Sequence, residues 1–213
     1  PLAGRFRLGL VASVGPRLLP GFLRRRPISL PHATFTFHTG LSESLDQDVE
    51  SRRIDAAILT ATGVPAGGLR HRLLLRDPLM RAVPPNLEAD APFLQFAPST
   101  GIGRLIAATL ADHPDLAGRP RLVLDHVDTI RACLAAGIGA TILPQVDLRD
   151  IPCQKLGADR ALVLSTRIGT PLDEVGDMLA DLLRPYSTAA SATAANAASS
   201  STATASNPGA SDM

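Results

Sequence analysis

The stretch VLDHVDTIRACLAAGIGATILP, residues 123–144, decides the fold of this chain. Val127, Ile130 and Leu134 recur at helical spacing, so they predict a helix whose apolar face packs on a core. Residues 140–143 then form an apolar run that is too short for a helix and typical of a buried strand. Since a short apolar run also precedes the helix, the stretch predicts a strand–helix–strand unit with parallel strands.

The two ends of this predicted helix carry residues that suit a helix boundary. Asp125 or Asp128 is expected to cap its free N–H groups, and Gly137 stands where a left-handed residue ends a helix. In a sheet built of such units, the strand ends and the helix starts form the crevice where ligands bind. Polar residues at those turns are therefore the first candidates for a site.

Two alternations of strands and helices fill most of the chain. The first contains the strands RFRLGLVA, ATFTFH and IDAAIL, and the second contains PFLQF, RLVLD and ATIL. Residues 69–77 and 79–84 are predicted as two extended pieces that Pro78 separates. This succession predicts an α/β fold with two lobes. A last strand, RALVLS, precedes an amphipathic helix whose inward residues are expected to be Val175, Met178, Leu179 and Leu182.

The helix predicted after the first strand is strongly apolar. Ser13 is expected to cap its start. The arginine run 24–26 is expected to end it ahead of Pro27, where basic side chains favour the negative end of the helix dipole. The apolar surface of this helix is wider than one packed face requires, and its residues are Leu18, Leu19, Phe22 and Leu23.

Length and composition narrow the class of protein. A chain of 213 residues is long enough for two small lobes with cores of their own, and a formal net charge of +1 argues against a general nucleic-acid binder. No apolar run approaches the ~20 residues of a membrane span, and no signal-peptide core is visible. Two cysteines, Cys133 and Cys153, are too few for a disulfide framework, so we expect a cytoplasmic compartment. Residues 187–213 are almost entirely small and polar, which predicts a disordered tail.

Sequence motifs of catalysis and metal binding are absent. The chain has no nucleophile elbow, Walker loop, zincin motif or CxxC, and its five histidines show no ligand spacing. The tripeptide GIG occurs at residues 101–103 and 137–139, and neither copy completes a dinucleotide fingerprint. We therefore expect no enzyme, no metal site and no cofactor.

Small polar residues recur instead at the turns from strand to helix. Each such turn offers free N–H groups and the positive end of a helix dipole, and a hydroxyl there donates a further hydrogen bond. One residue of this kind is more often an ordinary cap, but turns that converge in one crevice favour a small anion, above all a carboxylate. An aromatic content of 3% argues against stacking on a ring. The candidate ligand-binding residues are Ser13, Thr60, Thr62, Ser99, Thr100, Asp125 and His126.

Several segments in order resemble the effector-binding domain of LysR-type transcriptional regulators, from Arg5 to about Arg184. They are RLGL followed by LLPGFL, SLDQDVESRRIDAAIL, LLLRDPLMRAVP, FAPSTGIGR and, as the most specific piece, the opening stretch. The resemblance implies a two-lobe periplasmic-binding-protein-like fold of type II, with hinge strands crossing between the lobes. Lobe I is expected to hold residues 1–79 and 158–186, and lobe II residues 80–157.

The resemblance also implies partners. Family members bind a small inducer between the lobes, at positions that correspond to the turn residues above, and bind promoter DNA through a winged helix-turn-helix. The sequence does not contain that domain, so promoter DNA is expected only through a domain outside it. The family further implies a homodimer or tetramer in which the helix after Ser13 packs on the helix after Thr100 of another subunit. The expected interface residues are Leu19, Phe22, Leu23, Leu105 and Thr109.

Besides the absence of the winged helix-turn-helix, a second departure from the family concerns the length of one segment. The segment VPPNLEADAP, residues 83–92, is shorter than is usual between hinge and lobe II, so the pocket floor is expected to differ. Peroxide sensors of the family carry a reactive cysteine just after the strand that here reads LQFAPST, and no cysteine stands there, which argues against a thiol switch. A solute-binding protein of a transporter has the same fold. The coding sequence upstream of Pro1 distinguishes the two, by a helix-turn-helix or an apolar leader.

Overall fold

The computed structural model describes residues 2–183, and the tail predicted for residues 187–213 lies outside them. The strands are β1 (Ala3–Leu10), β2 (His32–Thr39), β3 (Ala56–Thr60), β4 (Leu69–Ala82), β5 (Phe93–Gln95), β6 (Arg121–Val123), β7 (Ala140–Pro144) and β8 (Gln154–Arg167). The helices are α1 (Gly15–Ser29), α2 (Ser42–Glu50), α3 (Gly101–Leu110), α4 (Pro114–Ala117), α5 (Val127–Ala135), α6 (Pro171–Glu174) and α7 (Gly176–Leu183). A 3-10 helix, Gln145–Leu148, follows β7.

The strands form a sheet in the order β2-β1-β3-β8-β4-β7-β5-β6. β1 pairs in parallel with β2 and β3, and β5 pairs in parallel with β6 and β7. The long strands β4 and β8 run antiparallel to each other and join the two parallel sets. The predicted architecture of two α/β lobes with crossing hinge strands is therefore confirmed. The division at residues 79/80 and 157/158 stays a prediction, because both hinge strands contribute to both cores.

Residues 123–144 fold as a crossover unit. Ile130 and Leu134 of α5 are buried in the core of lobe II, and β7 is buried along its whole length. Gly137 has φ of +73°, a left-handed conformation that glycine adopts without the steric cost of a side chain. β6 and β7 lie on either side of β5 and parallel to it, so the predicted parallel pairing is correct.

The predicted break at Pro78 is wrong, because β4 is one strand that continues through it. The pairing of β4 with β8 shifts register between Pro78 and Met80. Proline has no N–H to donate to a ladder, and such an irregularity is where a strand accommodates it. One continuous strand can therefore cross from lobe I to lobe II.

The predicted boundaries of α1 also need correction. Val14, not Ser13, occupies the cap position, and no side chain caps the helix. At the other end the helix runs through Pro27 to Ser29, and the Leu30 N–H donates to the Arg26 carbonyl oxygen over 2.7 Å. The arginine run therefore lies within the helix rather than at its end.

Two of the expected interface residues pack inside their own lobe. Phe22 is buried in the core of lobe I, where its ring meets Phe35 edge-on at a centroid distance of 5.2 Å. Thr109 is buried on α3, and its hydroxyl donates to the Leu105 carbonyl oxygen over 2.9 Å. Phe22 is therefore not surplus apolar surface, whereas Leu23 is 47% exposed on the same helix.

Smaller corrections concern α5 and the C-terminal helix. His126 stands at the cap position of α5 without a side-chain cap bond, so neither Asp125 nor Asp128 caps that helix. The predicted C-terminal helix is divided into α6 and α7, which meet at Val175. Met178, predicted to face inward, is exposed, whereas Leu179 and Leu182 are buried.

Candidate functional site

The turns that carry the predicted ligand-binding residues lie at the ends of strands in both lobes. β1 and β3 are parallel neighbours, and the Val11 N–H donates to the Ile58 carbonyl oxygen over 3.0 Å just where both strands end. Ser13 and Thr60 therefore lie at the same edge of lobe I. In lobe II the Leu124 N–H donates to the Gln95 carbonyl oxygen over 2.8 Å, which joins the turn after β6 to the turn after β5.

The two lobes meet at the start of α3. A Cβ atom added to Gly101 would lie 2.6 Å from Cγ2 of Thr62 and 3.1 Å from Oε1 of Glu43, both on lobe I. Glycine favours this contact because a side chain would force these groups apart. The first GIG tripeptide does not complete a nucleotide fingerprint, and its first glycine instead allows the close approach of the lobes.

An ion pair closes the same side of the boundary between the lobes. The Arg104 guanidinium on α3 is paired with the Glu43 carboxylate on α2. The Nη1 of Arg104 also donates to the Ser99 carbonyl oxygen over 2.8 Å, which fixes the turn that precedes α3. Both charged side chains are partly exposed, so water and ions can compete for this pair.

Thr100 caps α3 as the sequence predicted. Its Oγ1 accepts from the Gly103 N–H over 3.0 Å and donates to the Ala97 carbonyl oxygen over 2.8 Å. The hydroxyl proton of Thr100 is thus donated within the turn. Thr100 therefore contributes to a ligand site by holding the start of α3 in place. Ser99, in contrast, is exposed.

The remaining predicted residues differ in accessibility. Thr60 is buried, and its N–H donates to Oγ of Ser42 over 3.1 Å. Asp125 and His126 are exposed at the start of α5, and no hydrogen bond or ion pair within residues 2–183 joins them to lobe I. The structure therefore brings Ser13, the turn after β3 and the turn after β5 to the boundary between the lobes, and the turn that precedes α5 adjoins the turn after β5.

Sequence reasoning missed a buried charge pair on the hinge strands. Asp77 of β4 and Arg160 of β8 are register partners, and Nη2 of Arg160 lies 2.6 Å from Oδ2 of Asp77. Their side chains are only 4% and 3% exposed. Nη1 of Arg160 donates to Oγ of Ser13 over 2.9 Å, so this pair is tied to a predicted site residue.

Two further charges complete what we call the hinge charge cluster, namely Arg17, Asp77, Asp147 and Arg160. Nη1 of Arg17, in the first turn of α1, lies 3.7 Å from Oδ2 of Asp77. Oδ2 of Asp147, in the 3-10 helix of lobe II, lies 4.0 Å from Nη1 of Arg160. The hinge charge cluster therefore draws its members from lobe I, both hinge strands and lobe II.

Burial shifts the pKa of two members of the hinge charge cluster. Burial raises the pKa of Asp147 to about 6, an effect that Arg160, Arg17 and Arg131 oppose and Asp77 reinforces. Burial lowers the pKa of Arg17, although Asp77 and Asp147 oppose that shift. Neither residue has partners close enough to compensate its desolvation fully.

The sequence did carry a signal for this cluster. Asp77 stands inside the apolar strand segment LLLRDPLM, and Arg160 directly precedes the apolar residues 161–164. A charged residue in an apolar strand is rarely buried without a partner. The partners lie far away in the chain, so the pattern could reveal an unusual residue but not its pairing.

One other cluster superficially resembles a catalytic triad. Oγ of Ser165 lies 2.6 Å from Oδ1 of Asp46, and Nε2 of His71 lies 3.1 Å from both oxygens of that carboxylate. Ser165 is fully buried and donates to the carboxylate rather than to the imidazole. The imidazole is therefore not hydrogen-bonded to the hydroxyl as a triad requires, and the cluster ties α2 to the hinge strands.

Residues 2–183 contain neither a metal-ligand cluster nor a membrane-spanning helix. No group of three or more His, Cys, Asp or Glu side chains in this part of the chain could hold a metal ion. No helix in the same range combines the length and apolar character of a membrane span.

Comparison with known proteins gives a consistent picture. The family model of the LysR substrate binding domain matches residues 1–175. A hydrogen peroxide-inducible genes activator from Pectobacterium carotovorum subsp. carotovorum is 24% identical over an alignment 221 positions long. The alignment covers 87% of this chain and 68% of that protein.

Solved structures agree at the level of the fold. The reduced regulatory domain of OxyR2 from Vibrio vulnificus superposes with a TM-score of 0.70 at 16% identity, covering 86% of this chain and 96% of that one. A variant of OxyR from Corynebacterium glutamicum superposes with a TM-score of 0.74 at 17% identity, covering 92% of this chain and 68% of that one.

Proposed function

Because the chain belongs to the LysR substrate binding domain family, we propose that it is the effector-sensing domain of a transcription regulator. A small anionic metabolite, most simply a carboxylate, binds between its lobes and changes how they sit on the hinge strands. Promoter DNA is then bound through a separate domain. The family match favours this function over that of a transporter's solute-binding protein, which the sequence left open.

One observation carries the proposal: strand-end turns of both lobes meet at a single boundary. Thr62 of lobe I approaches Gly101 of lobe II so closely that a side chain at the glycine would displace the threonine methyl group. A ligand held beside this contact would touch both lobes at once, so its binding energy depends on their relative position. Such a dependence is what allows a ligand to switch a two-lobe protein.

The name of the Pectobacterium relative raises hydrogen peroxide as a second stimulus, and the cysteines of this chain argue against it. Peroxide sensing by a thiol requires an accessible thiolate. Cys133 is partly buried on α5, and burial raises the pKa of the Cys153 thiol, which keeps it protonated. The turn of residues 97–101, where the family's peroxide sensors carry their cysteine, contains none. We therefore propose reversible ligand binding.

Assembly is also part of the proposal. We propose that α1 of one subunit packs on α3 of another in an isologous dimer or tetramer. With Phe22 and Thr109 packed inside their own lobes, Leu19, Leu23 and Leu105 are the remaining contact residues. A Leu23→Glu variant is expected to lower the sedimentation coefficient, while Leu122→Glu on the edge strand β6 leaves it unchanged. A monomeric parent at tens of micromolar would refute the dimer.

A thermal-shift screen of organic acids tests ligand binding. A ligand that binds only the folded state raises the melting temperature in a concentration-dependent way. We expect at least one small carboxylic acid to do so, and its neutral amide to have no effect. A screen in which amides and acids behave alike would refute an anionic effector.

A further inference from the structure

The start of α1 has an unusual composition for a helix N-terminus. No side chain caps it, and its first turn contains Pro16 and Arg17 but no acidic residue. The first turn itself therefore supplies no negative group to the positive end of the helix dipole and adds a cation to it. A helix start of this composition favours an anion beside it.

Arg17 itself is almost without partners. Its side chain is only 10% exposed, yet its single ion pair, with Asp77, spans 3.7 Å, beyond hydrogen-bond reach. Within residues 2–183 its guanidinium, which has five N–H donors, makes no hydrogen bond to another group. The neighbouring Nε of Arg160 is buried and also has no hydrogen-bond partner.

Arg72 shows how this protein treats an arginine of equal burial. Its side chain is 12% exposed, and it donates to Oγ1 of Thr166, to Asp173 and to Asp177 over 2.7–3.1 Å. All three guanidinium nitrogens of Arg72 are thus hydrogen-bonded at a burial close to that of Arg17. Among residues 2–183 the Arg17 nitrogens are not buried atoms without a partner, so its unused donors stay open to an acceptor from outside the fold.

We propose that Arg17 is the docking group for the carboxylate of the effector, with the Ser13 hydroxyl and the Nε of Arg160 beside it. This inference rests on the proposed function and deepens it by naming the group that binds the ligand's charge. A guanidinium can bind a carboxylate through two parallel hydrogen bonds. The site lies at the boundary between the lobes, because Arg17 pairs with Asp77 of one hinge strand, Asp77 pairs with Arg160 of the other, and Arg160 lies 4.0 Å from Asp147 of lobe II.

The charges around the site favour a singly charged group. Asp77 already neutralises part of the two guanidinium charges, and Asp147 faces them from lobe II. A phosphate or sulfate dianion offers the same oxygen geometry but is repelled more strongly by these two carboxylates. A monoanionic carboxylate is therefore the expected ligand group.

Titration calorimetry on matched variants tests the inference. The probes are acetate, benzoate, succinate and L-glutamate, with inorganic sulfate, inorganic phosphate and acetamide for comparison. Arg17→Met keeps the length of the side chain and removes the charge, Arg17→Lys keeps the charge and removes the fork, and Arg24→Met changes an exposed arginine of the same helix. Circular dichroism establishes that each variant is folded. If Arg17→Met does not fold, Arg17→Lys carries the test.

We expect Arg17→Met to weaken the best carboxylate by about 10- to 100-fold, Arg17→Lys by less, and Arg24→Met not at all. Equal affinity in the parent and in the folded Arg17 variants would overturn the inference and leave the proposed function standing. A parent that binds sulfate or phosphate but no carboxylate would overturn the assigned ligand class. A parent that binds none of the anions would overturn both the inference and the proposed function.

Discussion

Asp173 and Asp147 are both buried beside arginines, yet their surroundings act on them in opposite directions. Burial alone would raise the pKa of Asp173, but hydrogen bonds from Arg72, the Gly169 N–H and Thr166 lower it. The carboxylate of Asp147 has its one ion pair within residues 2–183 at 4.0 Å, with Arg160, and burial raises its pKa to about 6. The difference shows that the charged groups around Asp173 are hydrogen-bonded to each other and structural, whereas the hinge charge cluster retains charged groups that lack close partners.

Removing the carboxylate from the saturated cluster should have the largest effect. Asp173→Ala leaves Arg72 buried without its main partner, and we expect a loss of about 3 to 5 kcal/mol in the free energy of unfolding. Urea denaturation measures it. Asp177→Ala is the matched control, because that carboxylate is 90% exposed and should contribute less than about 1 kcal/mol. A loss below about 1 kcal/mol for Asp173→Ala would remove the contrast between the clusters.

Asp147→Asn should raise the free energy of unfolding instead of lowering it, and by a smaller amount. The folded-state pKa of Asp147 is raised above the ordinary carboxyl value of about 3.9, so the folded protein holds this proton more tightly than the unfolded chain. The contribution of Asp147 to stability is therefore lost as the pH rises from about 4 to about 6. We expect Asp147→Asn to match the parent near pH 4 and to be more stable by roughly 1 to 3 kcal/mol at pH 7.

Urea denaturation of both variants across this pH range is the check. Asp173→Asn serves as the comparison, because the folded-state pKa of Asp173 is lowered: its deficit should develop as the pH rises towards the ordinary carboxyl value of about 3.9 and stay nearly constant from pH 5 to pH 7. A stability difference between Asp147→Asn and the parent that is constant from pH 4 to pH 7 would show that the folded-state pKa of Asp147 is not raised, and would contradict the prediction.

Much of the fold could be predicted from the sequence because the signals are local. The period of Val127, Ile130 and Leu134 and the glycine at residue 137 required no knowledge of the rest of the chain. Pro78 misled the prediction, because whether a strand continues through proline depends on the register of its partner, which a local pattern does not contain.

The candidate site was harder to predict for a related reason. The turns were found because strand ends and helix starts can be recognised locally. Arg160 bonds to Ser13 and Asp77, which are 147 and 83 positions away in the chain. These contacts exist only once the hinge strands have crossed, so no spacing in the sequence announces them.

The smallest expected effect concerns the contact that brings the lobes together. Gly101→Ala places a methyl group against Cγ2 of Thr62, and we expect a cost of about 1 kcal/mol in stability and a weaker response to ligand. Thr62→Ser removes the opposing methyl group and should recover most of the loss in the double variant. Thermal denaturation of the four proteins gives the coupling energy, and additive effects would show that the two residues do not touch.

Proton uptake on ligand binding is the most direct test of the claim that the hinge charge cluster receives the effector's charge. A carboxylate placed beside Arg17 brings a negative charge near Asp147 and raises its pKa further. Calorimetry in buffers of different ionisation enthalpy at pH 6.5 to 7 should therefore detect a fraction of a proton taken up by the parent, and none by Asp147→Asn. Binding without proton uptake in the parent, or with equal uptake in both proteins, would contradict the account.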